Sequence, residues 1–397
     1  MANAYTGTGS STLGGTSGSA GLVQQAYDRL LEFALRSEPL IRSVADKTPA
    51  RQSIPGSTVV LQKYVDLEKN TTALTETTDP DAVALSTPTQ VSITLAEYGN
   101  SVLVTRALEL FSLADVDPAI ANIIAFNLAD SIDDVAMTTL RGGTNKIFGG
   151  TRTSTATLTA SDTIDSADIR RAVAKLRANK AIGRKGSLYW AGIHPEVSHD
   201  LRAESSSGQG WLLPNQYGSS QDRIWAGEIG NYEGAYYVES ARLYNAKTGA
   251  DQTALATASA VSGASGAFTI VAANAAFGGR AEVGDKISGT NVGSSAKITA
   301  ISVGATNTTF TVDVANSGTV GTNTLTVTPV TRVFNTIVCG QQAMAQAVAE
   351  EPHVVIGPVV DKLMRHRPMG WYGVLGFARY REEALYRIET GSSIAAL

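Results

Sequence analysis

Apolar residues recur every third or fourth position through DPAIANIIAFNLADSIDDVAMTTLR, residues 117–141, the longest helical pattern in the chain. Ile120, Ile124, Leu128, Ile132, Ala136 and Leu140 form the stripe, and Ile123 and Val135 widen it. Asp130, Asp133 and Asp134 fall beside it and are expected to face water. Asp117 can cap the first turn, and Pro118 follows where a missing N–H costs nothing. Arg141 suits the negative helix end, and Gly142 and Gly143 stop the helix. At 1.5 Å per residue it would run roughly 35–40 Å, so it needs a sheet or other helices along its length. Three further helices are predicted: LVQQAYDRLLEFALR at 22–36, SADIRRAVAKLRAN at 166–179 and QQAMAQAVA at 341–349. The second has Asp165 as N-cap and Asp168 in its first turn. Ile169, Val173 and Leu176 form its apolar face, and Lys175, Arg177 and Lys180 a solvated side.

The strand signals are different in kind. STVVLQKYVDL (57–67) is β-branched and aromatic, and in QVSITLAEYGNSVLVT (90–105) Val91, Ile93 and Leu95 alternate with Ser92, Thr94 and Ala96. About 20 polar residues with Pro80 and Pro88 separate the two runs, too many for a compact hairpin. Loops of that length inside a domain are uncommon and usually functional, and an isolated two-stranded ribbon is marginal in water. The ribbon is therefore expected to lie on another copy of the chain. TSTATLTASDT (153–163) reads as a short strand, SLYWAGI (187–193) as a buried one, and GEIGNYEGAYYVES (227–240) as a turn and strand. From about 247 to 331 charges nearly vanish, and AFTIVAA, KITAISV, TTFTVDV and TLTVTPV are separated by Gly/Asn/Ser turns. That stretch reads as a small β module inserted in a loop whose ends lie close together. The main chain resumes at VFNTIVCG, followed by HVVIGP and by MGWYGVLGFARYREEALYRIET, where Trp371, Phe377 and Tyr380 mix with Gly370, Gly373 and Gly376. That mixture suits close strand packing.

Composition narrows the function. Of 397 residues only 17% are charged and the net charge is −4, which suggests surface that faces other protein and argues against sequence-independent nucleic-acid binding as the main role. The single Cys339 permits no intrachain disulfide and reads as a buried structural thiol. Residues 2–21 are mostly Gly, Ser, Thr and Ala: a tail, or an arm that orders against a neighbouring subunit. They do not form a secretory signal, and no apolar run is long enough to cross a membrane. No Walker loop, dinucleotide fingerprint or Gly-x-Ser-x-Gly elbow occurs. His194, Glu196, His199 and Asp200 could ligate a metal. However, a spacing of five sets the two imidazoles about 140° apart on a helix, so the segment reads instead as a helix start around Pro195. No catalytic, cofactor-binding or metal residue is expected. The basic C-terminal set Lys362, Arg365, His366, Arg367, Arg379, Arg381 and Arg387 reads as a solvated or subunit-pairing surface, with packaged nucleic acid as the alternative.

The order of parts resembles the major capsid proteins of tailed bacteriophages, with the HK97-like fold. HPEVSHDLR (194–202), GEIGNYEGAYYVES and GWYGVLGFARYREEALYRIETGS (370–392) carry the resemblance, together with LVQQAYDRLLEFALRSEPLIRSVADKTP near the start. It implies an α+β fold with an N-terminal arm and helix at 1–50, an extended loop at 51–106 and a peripheral domain with its spine helix at 107–164. An axial domain would follow in two parts, 165–246 and 332–365, around an inserted all-β module at 247–331. Strands returning to the periphery would occupy 366–397. The implied function is a self-assembling icosahedral head shell of hexamers and pentamers around double-stranded DNA, in the virion, built in the host cytoplasm. Implied partners are portal and scaffold or decoration proteins, and DNA touched non-specifically on the inner surface; no membrane is involved. The alternatives are a bacterial nanocompartment shell or a β-rich surface-binding protein. Subunit-interface candidates are Tyr64, Trp211, Tyr217, Trp371, Tyr372 and Arg379.

Overall fold

The structure, a computed structural model, describes residues 39–49, 57–64, 66–67, 69–71, 73–74, 76, 83–105, 116–203, 228–243, 245–255, 258–273, 281–304, 306–358, 363 and 365–394. The arm at 2–21, the helix expected at 22–36, Trp211, Tyr217 and Lys362 lie outside them. In chain order the elements are β1 (Asp46–Pro49), β2 (Thr58–Lys63), β3 (Thr89–Thr94), β4 (Ala96–Thr105), the long helix α1 (Val116–Arg141) and β5 (Lys146–Phe148). Next come α2 (Ser166–Ala178), β6 (Tyr189–Ile193), α3 (Pro195–Ala203), β7 (Glu228–Tyr232), β8 (Ala235–Glu239) and β9 (Asn245–Asp251). Six short strands follow: β10 (Ala258–Ser262), β11 (Thr269–Ala273), β12 (Lys286–Gly289), β13 (Ile298–Val303), β14 (Asn307–Val312) and β15 (Thr324–Thr328). The chain closes with β16 (Val330–Cys339), β17 (Met344–Ile356), β18 (His366–Arg379) and β19 (Leu385–Thr390). The described residues fall into two compact units, a smaller one of Glu97–Asp130 with Glu351–Gly373 and a larger one holding the rest.

The larger unit is built on a sheet of order β5-β19-β16-β6-β8-β7, with β9 also pairing β16. β16 is buried at every position except Arg332, as befits a strand covered on both faces. Alternation along the strands sorts the core into two layers. Tyr189, Ala191, Ile193, Phe334 and Val338 point to the side covered by Ile169, Val173 and Leu176 of α2 and Val197 and Leu201 of α3. Trp190, Ile337 and Cys339 point to the other, where Ala136, Met137 and Leu140 of α1 pack with Ile41 and Val44. Asp165 caps α2 by accepting the Asp168 N–H at 2.8 Å. The hairpin β7–β8 turns through Glu233 and Gly234, with φ of 49° and 83°, the left-handed pair of a tight hairpin turn.

Residues 258–328 form a second sheet of order β12-β15-β10-β11-β14-β13. Its own core is centred on Ile270, Phe310, Leu325 and Val327. This module leaves and rejoins the larger sheet between β9 and β16, which run antiparallel with Asp251 opposite Val330. Charges clamp the junction. The Lys247 ammonium lies 2.6 Å from Asp285 and 2.8 Å from Glu282, and Arg332 lies 2.6 Å from Glu282. Fully buried Asp285 also accepts the Val330 N–H at 3.2 Å. Burial raises the Glu282 carboxyl, but the hydrogen bonds from Lys247 and Arg332 outweigh it and leave the pKa lowered.

Four expectations are corrected. Residues 344–349 are strand, not helix. Their Ala and Gln favour helix alone, but Met344 to Ala347 are buried and Ala345 to Val348 pair in parallel with β1, so tertiary pairing overrides propensity. Residues 153–163 form a 3-10 turn at Thr155–Thr157 rather than a strand. There Asp162 takes the Thr159 N–H at 2.8 Å and its hydroxyl at 2.7 Å, local bonds that compete with a ladder. Asp133 is 1% exposed, not on the wet side: it accepts the Arg42 N–H at 2.8 Å and faces Arg242 at 3.6 Å. Burial nevertheless raises its pKa. Finally, the two ribbon strands do pair, in register from Thr58↔Thr94 to Lys63↔Thr89, and their base rests on the chain's own body.

Candidate assembly surfaces

The ribbon begins as a fixed element. Ile93 is fully buried with Ala345 and Ala347, and Val59, Leu61, Leu95, Ala378 and Tyr380 pack around them. Lys63 reaches Glu383 at 2.8 Å and the Tyr380 hydroxyl donates to the Gln62 carbonyl at 3.4 Å. The hydrogen bond from Lys63, more than its charge, holds the Glu383 carboxyl below its ordinary pKa. Gly376 makes this seat possible, because a Cβ there would stand 2.2 Å from the Thr94 carbonyl oxygen.

Beyond this base the same segment turns its apolar side chains outward. Tyr64, Leu67, Leu74, Val83 and Leu85 are 72, 56, 70, 76 and 78% exposed. Single exposed apolar residues are ordinary, but five of them among the described residues from 64 to 85 mark a surface that another protein covers.

In the smaller unit, strands lie in the order β17-β18-β4. β4 and β18 approach closely: a Cβ at Gly370 would meet the Asn100 carbonyl at 2.5 Å, and one at Gly99 the Trp371 carbonyl at 2.8 Å. An open cleft of about 310 Å³ lies there, lined by Gly99 to Ser101, Val355, Gly357 and Pro368 to Trp371. Val354, Val355 and Ile356 at the end of β17 are 42, 40 and 54% exposed. Val102 and Leu103 on β4 are 43 and 55% exposed.

The sequence-predicted interface residues fall in different places. Tyr64 is exposed at the start of the loop. Trp371 is buried within its own chain, its indole N–H donating to Asn127 Oδ1 at 2.9 Å, and Tyr372 beside it is half-buried. Arg379 donates to Glu382 at 2.9 Å and to the Thr139 carbonyl at 3.0 Å. Arg387 is buried against Glu389 at 2.7 Å, which corrects its reading as a solvated or pairing cation. The histidine cluster is divided among other partners. His194 is buried 4.9 Å from the Phe334 ring, its Nδ1 accepts the Glu196 N–H, and burial lowers its pKa. His199 pairs with Asp200, which also accepts the Ser393 N–H at 2.9 Å. Cys339 is buried, and burial pushes its thiol up to about 12.

The exposed end of β17, from Val354 to Ile356, carries no local motif that marks it as a surface in the sequence. Comparison with known proteins gives the class. The family described as phage capsid protein matches residues 51–393, most of the chain, so this protein belongs to the phage capsid protein family. It is similar in fold to the capsid of Ralstonia phage GP4, with TM-score 0.59, 13% identity and coverage of 93% of this chain and 95% of that one. It is likewise similar to the capsid of cyanophage P-SCSP1u, with TM-score 0.57, 12% identity and coverage of 94% of each chain. A chain of Mycobacterium phage Che8 matches with TM-score 0.52, 14% identity and coverage of 92% of this chain and 97% of that one. No functionally curated protein sequence matches. The α+β architecture is that of the HK97-like capsid fold, and the protein is the major capsid protein of a tailed phage, the subunit of a multimeric virion shell.

Proposed function

We propose that the chain closes its shell by laying the loop at 51–106 over an adjacent copy within hexamers and pentamers, around double-stranded DNA. The observation that carries this reading is the outward row Leu67, Leu74, Val83 and Leu85 on a ribbon whose base is anchored by Ile93. Burying four such side chains on a neighbour would contribute about 6–12 kcal/mol before ordering costs, at about 1.5–3 kcal/mol each. Repetition of that contact by symmetry makes the assembly far stronger than any single interface. On this reading 107–164 and 366–397 form the peripheral domain, and 165–246 with 332–365 the axial domain carrying the module at 247–331. Tyr64 is an interface anchor, and Trp371 and Arg379 act from inside the subunit by holding the surfaces that neighbours meet. Portal and scaffold or decoration proteins complete the particle, which is built in the host cytoplasm, and the chain itself does no catalysis.

Electron microscopy of the purified chain tests this. Wild-type protein should form particles or capsomers. A variant with Leu67→Ser, Leu74→Ser, Val83→Ser and Leu85→Ser should keep its fold by circular dichroism but lose them. Particles of unchanged size and yield from that variant would refute the loop's role.

A further inference from the structure

The α2 face turned away from the sheet carries a concentration of positive charge that its packing does not use. Ile169, Ala172, Val173 and Leu176 face the core. Arg170, Arg171, Lys175 and Arg177 stand on the opposite side, and Lys180 follows at the helix end; all are exposed. In a chain of net charge −4 this is a local reversal of sign. Three of the carboxylates nearby are occupied. Asp165 caps the helix, Asp168 is buried and touches Arg171 at 3.5 Å, and Glu383 is taken by Lys63. Arg170, Arg177 and Lys180 have no ion-pair partner among the described residues. Of the seven C-terminal cations that the sequence offered for contact with nucleic acid, Arg379 and Arg387 are spent on Glu382 and Glu389.

From these observations we infer that this face of α2 is the surface on which the shell rests against the phosphate backbone of double-stranded DNA, which assigns it to the lumen of the particle. The inference rests on the shell reading and adds the face. Arg170 to Arg177 span about 10 Å at 1.5 Å per residue, and duplex DNA presents one charge per about 1.7 Å of axis. A rod of cations therefore meets a rod of phosphates. Between the cations the exposed positions are Ala174, Ala178 and Asn179, none of them aromatic. The neighbouring aromatic, Tyr386, lies under Lys175 at 5.8 Å with its hydroxyl bonded to Asn179 at 3.3 Å. No base can stack there, so the face fits a duplex backbone rather than a single strand, which needs exposed aromatic platforms.

The test uses dissociated full-length subunits and a 30-base-pair duplex, with binding followed by fluorescence anisotropy from 50 to 200 mM salt. Each phosphate contact contributes a slope of about −0.9 to log K against log salt. Wild type should bind with a slope of about −4. The Arg170→Glu/Arg177→Glu/Lys180→Glu variant should lose at least about 100-fold in affinity at 50 mM salt, and about 2.7 of the slope. The milder Arg170→Gln/Arg177→Gln/Lys180→Gln variant guards against misfolding and should lose the slope while still assembling. Equal binding by wild type and both variants, or tighter binding to a single strand of the same length, would overturn the assignment. Intact particles in the same preparations leave the shell reading standing, whereas absence of particles from wild type removes that reading instead.

Discussion

Replacing Lys247 with methionine isolates what holds the β module to the main sheet. The ammonium lies 2.6 Å from Asp285, whose side chain is fully buried, while that of Lys247 is 11% exposed. Methionine keeps the stem and removes the charge, leaving a buried carboxylate whose remaining donors among the described residues are the backbone N–H groups of Glu282 and Val330, at 2.8 and 3.2 Å. Removing one partner of a buried pair costs about 3–5 kcal/mol. The two remaining donors keep the carboxylate partly satisfied, so about 3 kcal/mol is expected. The neighbouring pair Lys286–Asp251, also at 2.6 Å, is 36 and 49% exposed on its two side chains. Lys286→Met should therefore cost less than about 1 kcal/mol, and it serves as an internal control. In a chain of this size a global unfolding energy is poorly defined, so the readout is native-state hydrogen exchange of amides in β9, β12 and β16. The double variant Lys247→Met/Asp285→Asn should recover part of the loss, because the uncompensated charge goes with the cation. If Lys247→Met changes local opening by no more than Lys286→Met does, the clamp is not what holds the junction and the reasoning fails.

Three further outcomes are expected. Asp168 is raised from 3.8 to about 7, first by burial and then by Asp165. Its contribution to stability is thus complete below pH 3.8 and lost as pH rises through about 7, a swing of at most about 4 kcal/mol. Asp168→Asn should melt close to wild type near pH 4 and higher than wild type at pH 8; parallel melting curves across that window would show that the carboxyl titrates normally. Gly376→Ala places a carbon against the Thr94 carbonyl, 2.2 Å away before relaxation, and should cost about 1–3 kcal/mol. It should also speed proteolysis within 57–96, and an unchanged cleavage rate would contradict the seat described for the ribbon. Cys339, at about 12, has on the order of one thiolate in ten thousand at pH 8. A thiol reagent should label it only after denaturant is added, and rapid labelling of native protein would contradict its burial.

Where the deciding interactions are local, the sequence was readable. α1 announced itself through its apolar period and end signals, α2 through the Asp165 cap, β6 through its unbroken apolar run and β16 through the β-branched stretch VFNTIVC. Where the deciding partner is remote, it was not. Asp133 looks solvated on a helical wheel, because Arg42 and Arg242, which enclose it, lie far away in the chain. The start of β17 has a helix former's composition and becomes strand only because β1 lies alongside it. The same limit applies to assembly. Trp371 and Tyr64 are both aromatic residues in strand-rich stretches, yet one is sealed against Asn127 and the other faces outward. Arg379 and Arg387 looked like free cations until Glu382 and Glu389 came beside them. The cations at 175–180 were visible as a hydrophilic helix side, but their joining with Arg170 and Arg171 into one basic face depends on which carboxylates the fold withdraws.

The crossing point between β9 and β16 has a consequence for lineage. Asp251 and Val330 are opposite one another on adjacent antiparallel strands, so the polypeptide departs and returns through a single doorway. A link of two or three residues across it would leave an ordinary β-hairpin. Everything between is then a cassette that recombination could acquire, discard or exchange in one event while the surrounding sheet keeps its register. Related phages could in this way carry different outgrowths on a common chassis.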